Sequence, residues 1–327
     1  MSPGMRLLLR ADASPSVGAG HLARMVALAE EADSRGWQVA FSGRIEGAGW
    51  LRSRLEELAA TWLAPQPALA ESSGFDAVVV DHYGLGEVSD RVNYGGALLV
   101  SFEDGAFGRR RADIVVDCGF EPTPRPDDGS PTVLTGVEYA PLRRAVLEAR
   151  RRRVAVEARS GTTHVLVVLG GGSAPADTVT TLLRALRDTG FPCTVDAVVA
   201  GEPAVPAVAR GQRFRAVAPG PDLPDRLAGT DLAVSAAGVT LLELCCIGVP
   251  SALVRLVDNQ AVGYRAAVER GLAAGLGSAE DLTGARDVLA RLLADRGARE
   301  SMAAAAAAAV DGKGAARVLD AVAGAMR

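Results

Sequence analysis

The strongest constraint on the fold is a twice-repeated alternation of short, apolar, β-branched runs with longer stretches of helical spacing. Parallel strands need long crossovers, usually helices, so this pattern points to parallel sheets covered by helices. The first series of strand candidates is Arg6–Ala11, Gln38–Ser42, Ala77–Val80, Leu98–Phe102 and Ile114–Val116, with a helix from His21 to about Arg35. The second is Val165–Leu169, Thr194–Ala200, Phe214–Val217, Leu232–Ser235 and Ser251–Val254, followed by an alanine-rich helical tail from Ala303. Between the two series, Glu121–Thr132 is rich in proline and aspartate and reads as a loop. Leu142–Val154 reads as an arginine-rich helix, whose run Arg150–Arg153 is taken as a solvated face near a domain junction in preference to a phosphate site. A chain of 327 residues, at roughly 100–200 per domain, suggests two Rossmann-like α/β domains. Their expected bounds are 1–158 and 159–310, with a last helix, 311–327, crossing back to the first.

Composition removes several function classes. The net charge of −4 asks for neither nucleic acid nor an anionic membrane as partner. Lys313 is the only lysine, so no glycine-rich loop carries a Walker-type lysine and a lysine Schiff base has no candidate but a residue of the Gly/Ala-rich tail. Cys118, Cys193, Cys245 and Cys246 form no CxxC pair, and His21, His82 and His164 are scattered. That argues against a structural zinc site and for buried, reduced thiols, which fits a cytoplasmic protein. Met1–Arg10 is too short and polar for a signal peptide, and no charge-free apolar run reaches about 18 residues. No acidic cluster suggests a dedicated magnesium site, and no cofactor is expected.

Two glycine loops stand where chemistry is expected. Gly18-Ala19-Gly20-His21-Leu22-Ala23 imitates a GxGxxA dinucleotide fingerprint, but six residues, Asp12–Val17, separate Gly18 from the strand, and no acidic ribose ligand follows about 20 positions on. The second strand ends in Ser42-Gly43-Arg44, which suits NADP at best. A different reading uses the helix start. Its free amides and partial positive charge favour anions and disfavour an imidazolium, so a neutral His21 on the first turn could accept a proton. A histidine that merely caps or packs the loop fits the same residue equally well. Gly170-Gly171-Gly172-Ser173 follows the apolar Val165–Leu169, at the strand end where open α/β sheets bind ligands, and three successive glycines expose amides to a diphosphate. An ordinary strand-to-helix turn is the alternative.

Several segments together resemble one family. Arg10-Ala11-Asp12-Ala13-Ser14, Gly18-Ala19-Gly20-His21 and Arg24 resemble the N-terminal signature of the PseG/SpsG family, and Asp81-His82-Tyr83-Gly84 its DHYG segment. Ser101-Phe102-Glu103-Asp104 resembles an F-D-D strand end with Glu103 in place of aspartate, and Gly136–Arg143 a G-x-x-Y-A-L-L-R stretch departing at Pro141. Asp231–Thr240, Glu243, Gly248-Val249-Pro250 and Asn259-Gln260 follow the family's nucleotide-binding pattern. Its prototype hydrolyses UDP-2,4-diacetamido-2,4,6-trideoxy-β-L-altropyranose, its spore-coat relatives are described as glycosyltransferases, and the family is similar to MurG. The resemblance implies the GT-B fold, two Rossmann-like domains with parallel sheets facing across a cleft.

The same resemblance implies roles. His21 would be the catalytic base, with Tyr83 and Asn259 lining the sugar site. Asp12, Gly18, Gly20, Arg24 and Gln260 would contact the substrate. Gly170–Ser173 and the segment Ser235, Ala236, Gly238, Val239 and Thr240 would hold the diphosphate, Glu243 the ribose, and the loop near Val217–Leu223 would border uracil. Plainer readings exist for several. Thr240–Glu243 matches a capping box, Tyr83 a half-buried aromatic, Asp81 a strand terminator, Asp12 and Arg10 a loop-stabilising ion pair. His82 and His164 read as structural. Arg24, Arg44 and Arg143 could read sugar substituents or lie on the surface. The implied reaction is inverting, metal-independent hydrolysis of a UDP-sugar by His21-activated water. The alternatives are transfer to an acceptor hydroxyl, an NADP oxidoreductase, and a non-catalytic nucleotide-sugar binder.

Overall fold

The structure, a computed structural model, describes residues 4–65, 74–85, 96–121, 123–154, 161–170, 176–199 and 204–326. The chain forms two compact units: Met1–Arg144 with Gly312–Arg327, and Ala145–Asp311. In the first, strands β1 (Arg6–Ala11), β2 (Gln38–Ser42), β3 (Thr61–Leu63), β4 (Ala77–Asp81), β5 (Leu98–Glu103), β6 (Ile114–Asp117) and β7 (Thr132–Thr135) pair in the order β3-β2-β1-β4-β5-β6-β7, all parallel. In the second, β8 (Thr163–Val168), β9 (Cys193–Val198), β10 (Gln212–Val217), β11 (Leu232–Ala236), β12 (Ser251–Arg255) and β13 (Ala274–Ser278) pair in parallel as β10-β9-β8-β11-β12-β13. In each sheet the order reverses beside the first strand, between β1 and β4 and between β8 and β11. In such sheets ligands bind outside the carboxyl ends of the strands near that switch.

Burial explains the pattern read from the sequence. Along β1, Leu7, Leu9 and Ala11 enter one core with helix α1 (Gly20–Ser34), while Leu8 faces a second core with Val78, Val80 and Leu99. Both faces are dry, so the interior strands are continuously apolar. Three short strands absent from the sequence reading, β3, β7 and β13, are all at sheet edges, and their side chains are mostly only half buried. Thr132, expected in a loop, opens β7.

Helices α2 (Gly49–Glu57) and α3 (Arg144–Val154) complete the first half of the chain. The expected solvated face on α3 holds for Arg151 and Arg152, which are exposed, but is corrected for Arg150 and Arg153. Arg150 donates to the carbonyls of Cys246, Ala307 and Val310, and Arg153 to those of Ala228, Thr230 and Gly248. These carbonyls lie at or just past the ends of α5 (Leu223–Ala228), α6 (Val239–Ile247) and α9 (Arg296–Ala309), where a cation satisfies orphaned acceptors and the helix dipole. The two arginines thus tie α3 to the second unit, and the expected junction at 158/159 lies beyond this helix, among residues outside the described ones.

The remaining helices of the second unit are α4 (Ala176–Asp188), α7 (Ala261–Glu269) and α8 (Ala285–Ala294). The last helix, α10 (Gly314–Ala325), belongs to the first unit: Ala315, Val318, Leu319 and Val322 are buried in the core that contains α1. Among the described residues no helix is long and apolar enough to cross a membrane.

Candidate active site

At the carboxyl edge of the first sheet, parallel strands deliver a run of polar groups: Asp81 ends β4, Asp104 follows β5, and Cys118 follows β6. Residues 12–19 separate β1 from α1, too long a connection for a dinucleotide turn. His21 is the second residue of α1, whose start has neither a side-chain cap nor an acidic residue in its first turn. The ring is buried, at 6% exposure, and its Nδ1 lies 2.6 Å from Asp81 Oδ1.

The tautomer follows from Asp81. Burial pushes this carboxyl up, but Arg24 and His21 outweigh it and hold it well below the usual carboxylate range. An ionised carboxylate only accepts, so the shared proton belongs to Nδ1. Arg24 Nη2 is also 3.0 Å from Nδ1, but it is a donor and has both carboxylates to serve. Nε2 makes no hydrogen bond among the described residues and keeps its lone pair. A carboxylate behind one ring nitrogen with the other free is the arrangement of an oriented general base.

Arg24, expected among the substrate contacts, is buried at 2% exposure and its donors are spent inside the protein. Nε and Nη2 donate to Asp81 at 2.7 and 2.8 Å, Nη1 and Nη2 to Asp104 at 2.7 and 3.0 Å, and Nη1 also approaches Cys118 Sγ at 3.6 Å. A guanidinium has five N–H protons, and these five contacts use them. Burial opposes its charge, but Asp104 and Asp81 more than offset this and hold it more firmly protonated than usual. Asp104 in turn accepts from Tyr83 Oη at 2.5 Å. The Tyr83 ring meets His21 edge to face, with centroids 4.6 Å apart, and also contacts Phe107, with centroids 5.7 Å apart. Imidazole, carboxylates, guanidinium and phenol therefore form one network. With neutral His21, one cation and two carboxylates leave a single net negative charge, which a proton gained by the imidazole cancels.

Asp12 is engaged by partners within the protein. It accepts from Arg10, from the Arg44 amide at 2.9 Å and from His82 Nε2 at 3.1 Å. Burial raises its carboxyl, but His82, Arg10 and the amide bring it well below the usual range. The Leu85 amide donates to His82 Nδ1 at 3.2 Å, so His82 is the Nε2–H tautomer and serves as a strut. Asp12 thereby joins the ends of β1, β2 and β4. The close approach of the first two needs Gly43, where a Cβ would lie 1.8 Å from Ala11 O. Gly18 and Gly20 flank the start of α1, Gly18 with φ +83°.

In the second unit, Gly170 follows β8 at φ +94° and is exposed, while Gly171, Gly172 and Ser173 lie outside the described residues. Ser235 is corrected as a phosphate ligand: it is fully buried and its hydroxyl donates to Val168 O at 2.8 Å, stitching β11 to β8. Ala236 is buried beside it. Exposed Gly238 is the N-cap of α6, which has no side-chain cap, and Val239 and Thr240 form its first turn. Thr240 is therefore inside the helix, and the capping-box explanation of Glu243 fails. Glu243 is buried in the second turn. A Cβ on Gly238 would stand 3.7 Å from Gln260 Nε2, and Gln260 Oε1 accepts from the Leu256 amide at 2.9 Å. Gly238 and the turn Asp258–Gln260, which carries Asn259, thus lie together at the strand ends.

The sequence reading missed the contacts that Asp81 and Asp104 make with His21 and Arg24. The signal available was the placement of each acid at or just after a strand end. Burial pushes the thiols of Cys118 and Cys245 up to about 12 and that of Cys193 to about 11. His164 pairs with Asp196 at 3.2 Å in the second unit. Among the described residues no three histidine, cysteine or acidic side chains converge as a metal site.

No family model matches the chain, and no curated protein does. Solved structures do. MurG of Acinetobacter baumannii superposes with a TM-score of 0.67 at 18% identity, covering 98% of this chain and 99% of its own. LpCGTa in complex with UDP gives 0.67 at 14% identity, covering 99% of each chain. The spinosyn rhamnosyltransferase SpnG, complexed with spinosyn aglycone, gives 0.61 at 15% identity, covering 97% of this chain and 100% of its own. At these identities the likeness is one of fold, and the fold is GT-B.

Proposed function

We propose that this chain cleaves the sugar–phosphate bond of a UDP-sugar, with His21 as base and water as nucleophile. The observation that carries the reading is the His21–Asp81 pair, which holds one ring nitrogen protonated and leaves the other to accept a proton. Nε2 takes a proton from water as its oxygen bonds to the anomeric carbon. The carbon–oxygen bond to the diphosphate breaks on the opposite face, and UDP leaves with the electron pair. The configuration inverts, and the imidazole later returns its proton to solvent.

In this reading the second unit holds the nucleotide. Amides at Gly170 and at the α6 start, Gly238–Thr240, take the diphosphate, as an uncapped helix end favours. Glu243 accepts from the ribose diol, and the segment Val217–Leu223 borders the base. Tyr83, Asn259 and Gln260 are assigned to the sugar. The GT-B fold and a UDP-bound structural neighbour support a nucleotide-sugar substrate. The PseG/SpsG-like motif set supports water as the acceptor.

Transfer to an acceptor hydroxyl by the same base is the second reading, favoured by likeness to a rhamnosyltransferase. Fold does not separate the two. Release of UDP is measured from a panel of UDP-sugars after metal removal, with and without hydroxylated acceptors. Release indifferent to acceptor supports hydrolysis, acceptor-dependent release supports transfer, and tight UDP binding with no release under either condition rejects both.

A further inference from the structure

Arg24 is the centre of the site network, yet it has no proton left to give a substrate. Its contacts reach both carboxylates: Asp81, which orients His21, and Asp104, which holds the Tyr83 hydroxyl. We propose that Arg24 is a positioning residue that fixes the proton of His21 on Nδ1 by holding Asp81 ionised, and that couples this carboxylate to the Tyr83 anchor through Asp104. The proposal rests on the reading of His21 as base.

The physical case is one of buried charge. Asp81 is 1% exposed, and a carboxylate so buried is costly unless paired and hydrogen-bonded. Arg24 supplies two of its hydrogen bonds and the opposite charge, and it also stacks its guanidinium on the Phe102 ring at 5.6 Å. Without Arg24 two outcomes are open to the Asp81–His21 pair. Either Asp81 takes up a proton and donates it to Nδ1, leaving hydrogen on Nε2, or the unneutralised carboxylates draw a second proton onto the ring. Each removes the free Nε2 lone pair. Lysine does not restore the arrangement, because an ammonium is a point charge and lacks the planar fork that spans two carboxylates.

The test is ¹⁵N NMR of the histidine side chains of the full chain, followed with pH, on wild type, Arg24→Met and Arg24→Lys. Circular dichroism and a cooperative thermal melt show that each variant is folded. Wild-type His21 is expected to show the neutral Nδ1–H signature across the active pH range. In Arg24→Met that signature is expected to give way to Nε2–H or imidazolium. The value of kcat is then expected to fall on the order of 10²-fold, as for small misplacements of a reacting group. Should Arg24→Met fail to fold, the double variant Arg24→Met/Asp104→Asn, which removes one charge of each sign, carries the same expectation for His21. A neutral Nδ1–H signature that persists in the variants over the wild-type pH range overturns the proposal, whatever happens to the rate. The NMR readout needs no turnover. Undiminished turnover by His21→Asn rejects the base reading itself.

Discussion

His21 and Asp81 face each other at 2.6 Å between Nδ1 and Oδ1, which leaves Nε2 as the one ring nitrogen available for chemistry. Replacing the carboxylate by an amide keeps the shape but no longer forces the proton onto Nδ1. Asp81→Asn is therefore expected to lower kcat by about 10²–10⁴-fold, the range seen when a base loses its orienting carboxylate, with UDP affinity unchanged by calorimetry. A rate within twofold of wild type would count against the pair.

Acid should weaken the fold through the same carboxylate. Asp81 titrates in the folded protein below its ordinary value of 3.8, as the stabilisation from Arg24 and His21 exceeds the cost of burial. A depressed folded value adds stability that is fully present above the unfolded pKa and is lost as pH falls through the folded one. Asp12 and Asp128 act in the same sense. Glu103 and Asp117, pushed up by burial, act in the opposite one. Melting temperatures measured from pH 6 down to pH 2 should fall most steeply below about pH 4, and Asp81→Asn should start lower but decline less. Parallel curves for the two proteins would show that Asp81 carries no such linkage.

Glu243 and Ser235 should separate by assay. If Glu243 accepts from the ribose diol, Glu243→Gln weakens UDP binding by about 1.5–3 kcal/mol, as for hydrogen bonds to a charged group, and leaves binding of a 2′,3′-dideoxy analogue little changed. Ser235→Ala removes a buried bond to Val168 O and should cost about 1 kcal/mol of stability with little effect on UDP affinity. Equal losses for UDP and the dideoxy analogue in Glu243→Gln would remove the ribose assignment.

The C-terminal helix should be integral to the first unit. Leu319 has 0% exposure in the core shared with α1, and its truncation to alanine should cost about 2–5 kcal/mol. Gly314 meets the Ala140 backbone so closely that a Cβ would lie 2.1 Å from the carbonyl oxygen, so Gly314→Ala should also destabilise. Chemical denaturation of both variants checks this. Wild-type midpoints would show that α10 is only loosely attached.

Much of the fold was legible because parallel sheets buried on both faces leave uninterrupted apolar runs. The expected bounds of β1 and β2 coincide with the observed ones. The strands β3, β7 and β13 were illegible because an edge position buries less and the runs are too short to show a period. Arg150 and Arg153 looked solvated because sequence records their charge but not the helix ends they cap. His21 stood out as a candidate through the glycines around it and its place on a helix start. Its network did not, because Arg24 meets Asp81 and Asp104 across 57 and 80 residues, a pairing only the sheet order creates. Ser235 misled because a strand-end serine before a glycine looks the same whether its hydroxyl points to a ligand or to the neighbouring strand.

The proposed role of His21 is tested most directly by single-turnover release of UDP from a UDP-sugar by His21→Ala, set beside its UDP affinity in the same preparation. The expected result is a chemical rate lowered by roughly 10²–10⁴-fold with affinity essentially that of wild type. A variant that binds UDP normally and releases it from the sugar at the wild-type rate would contradict the assignment of His21 as the base.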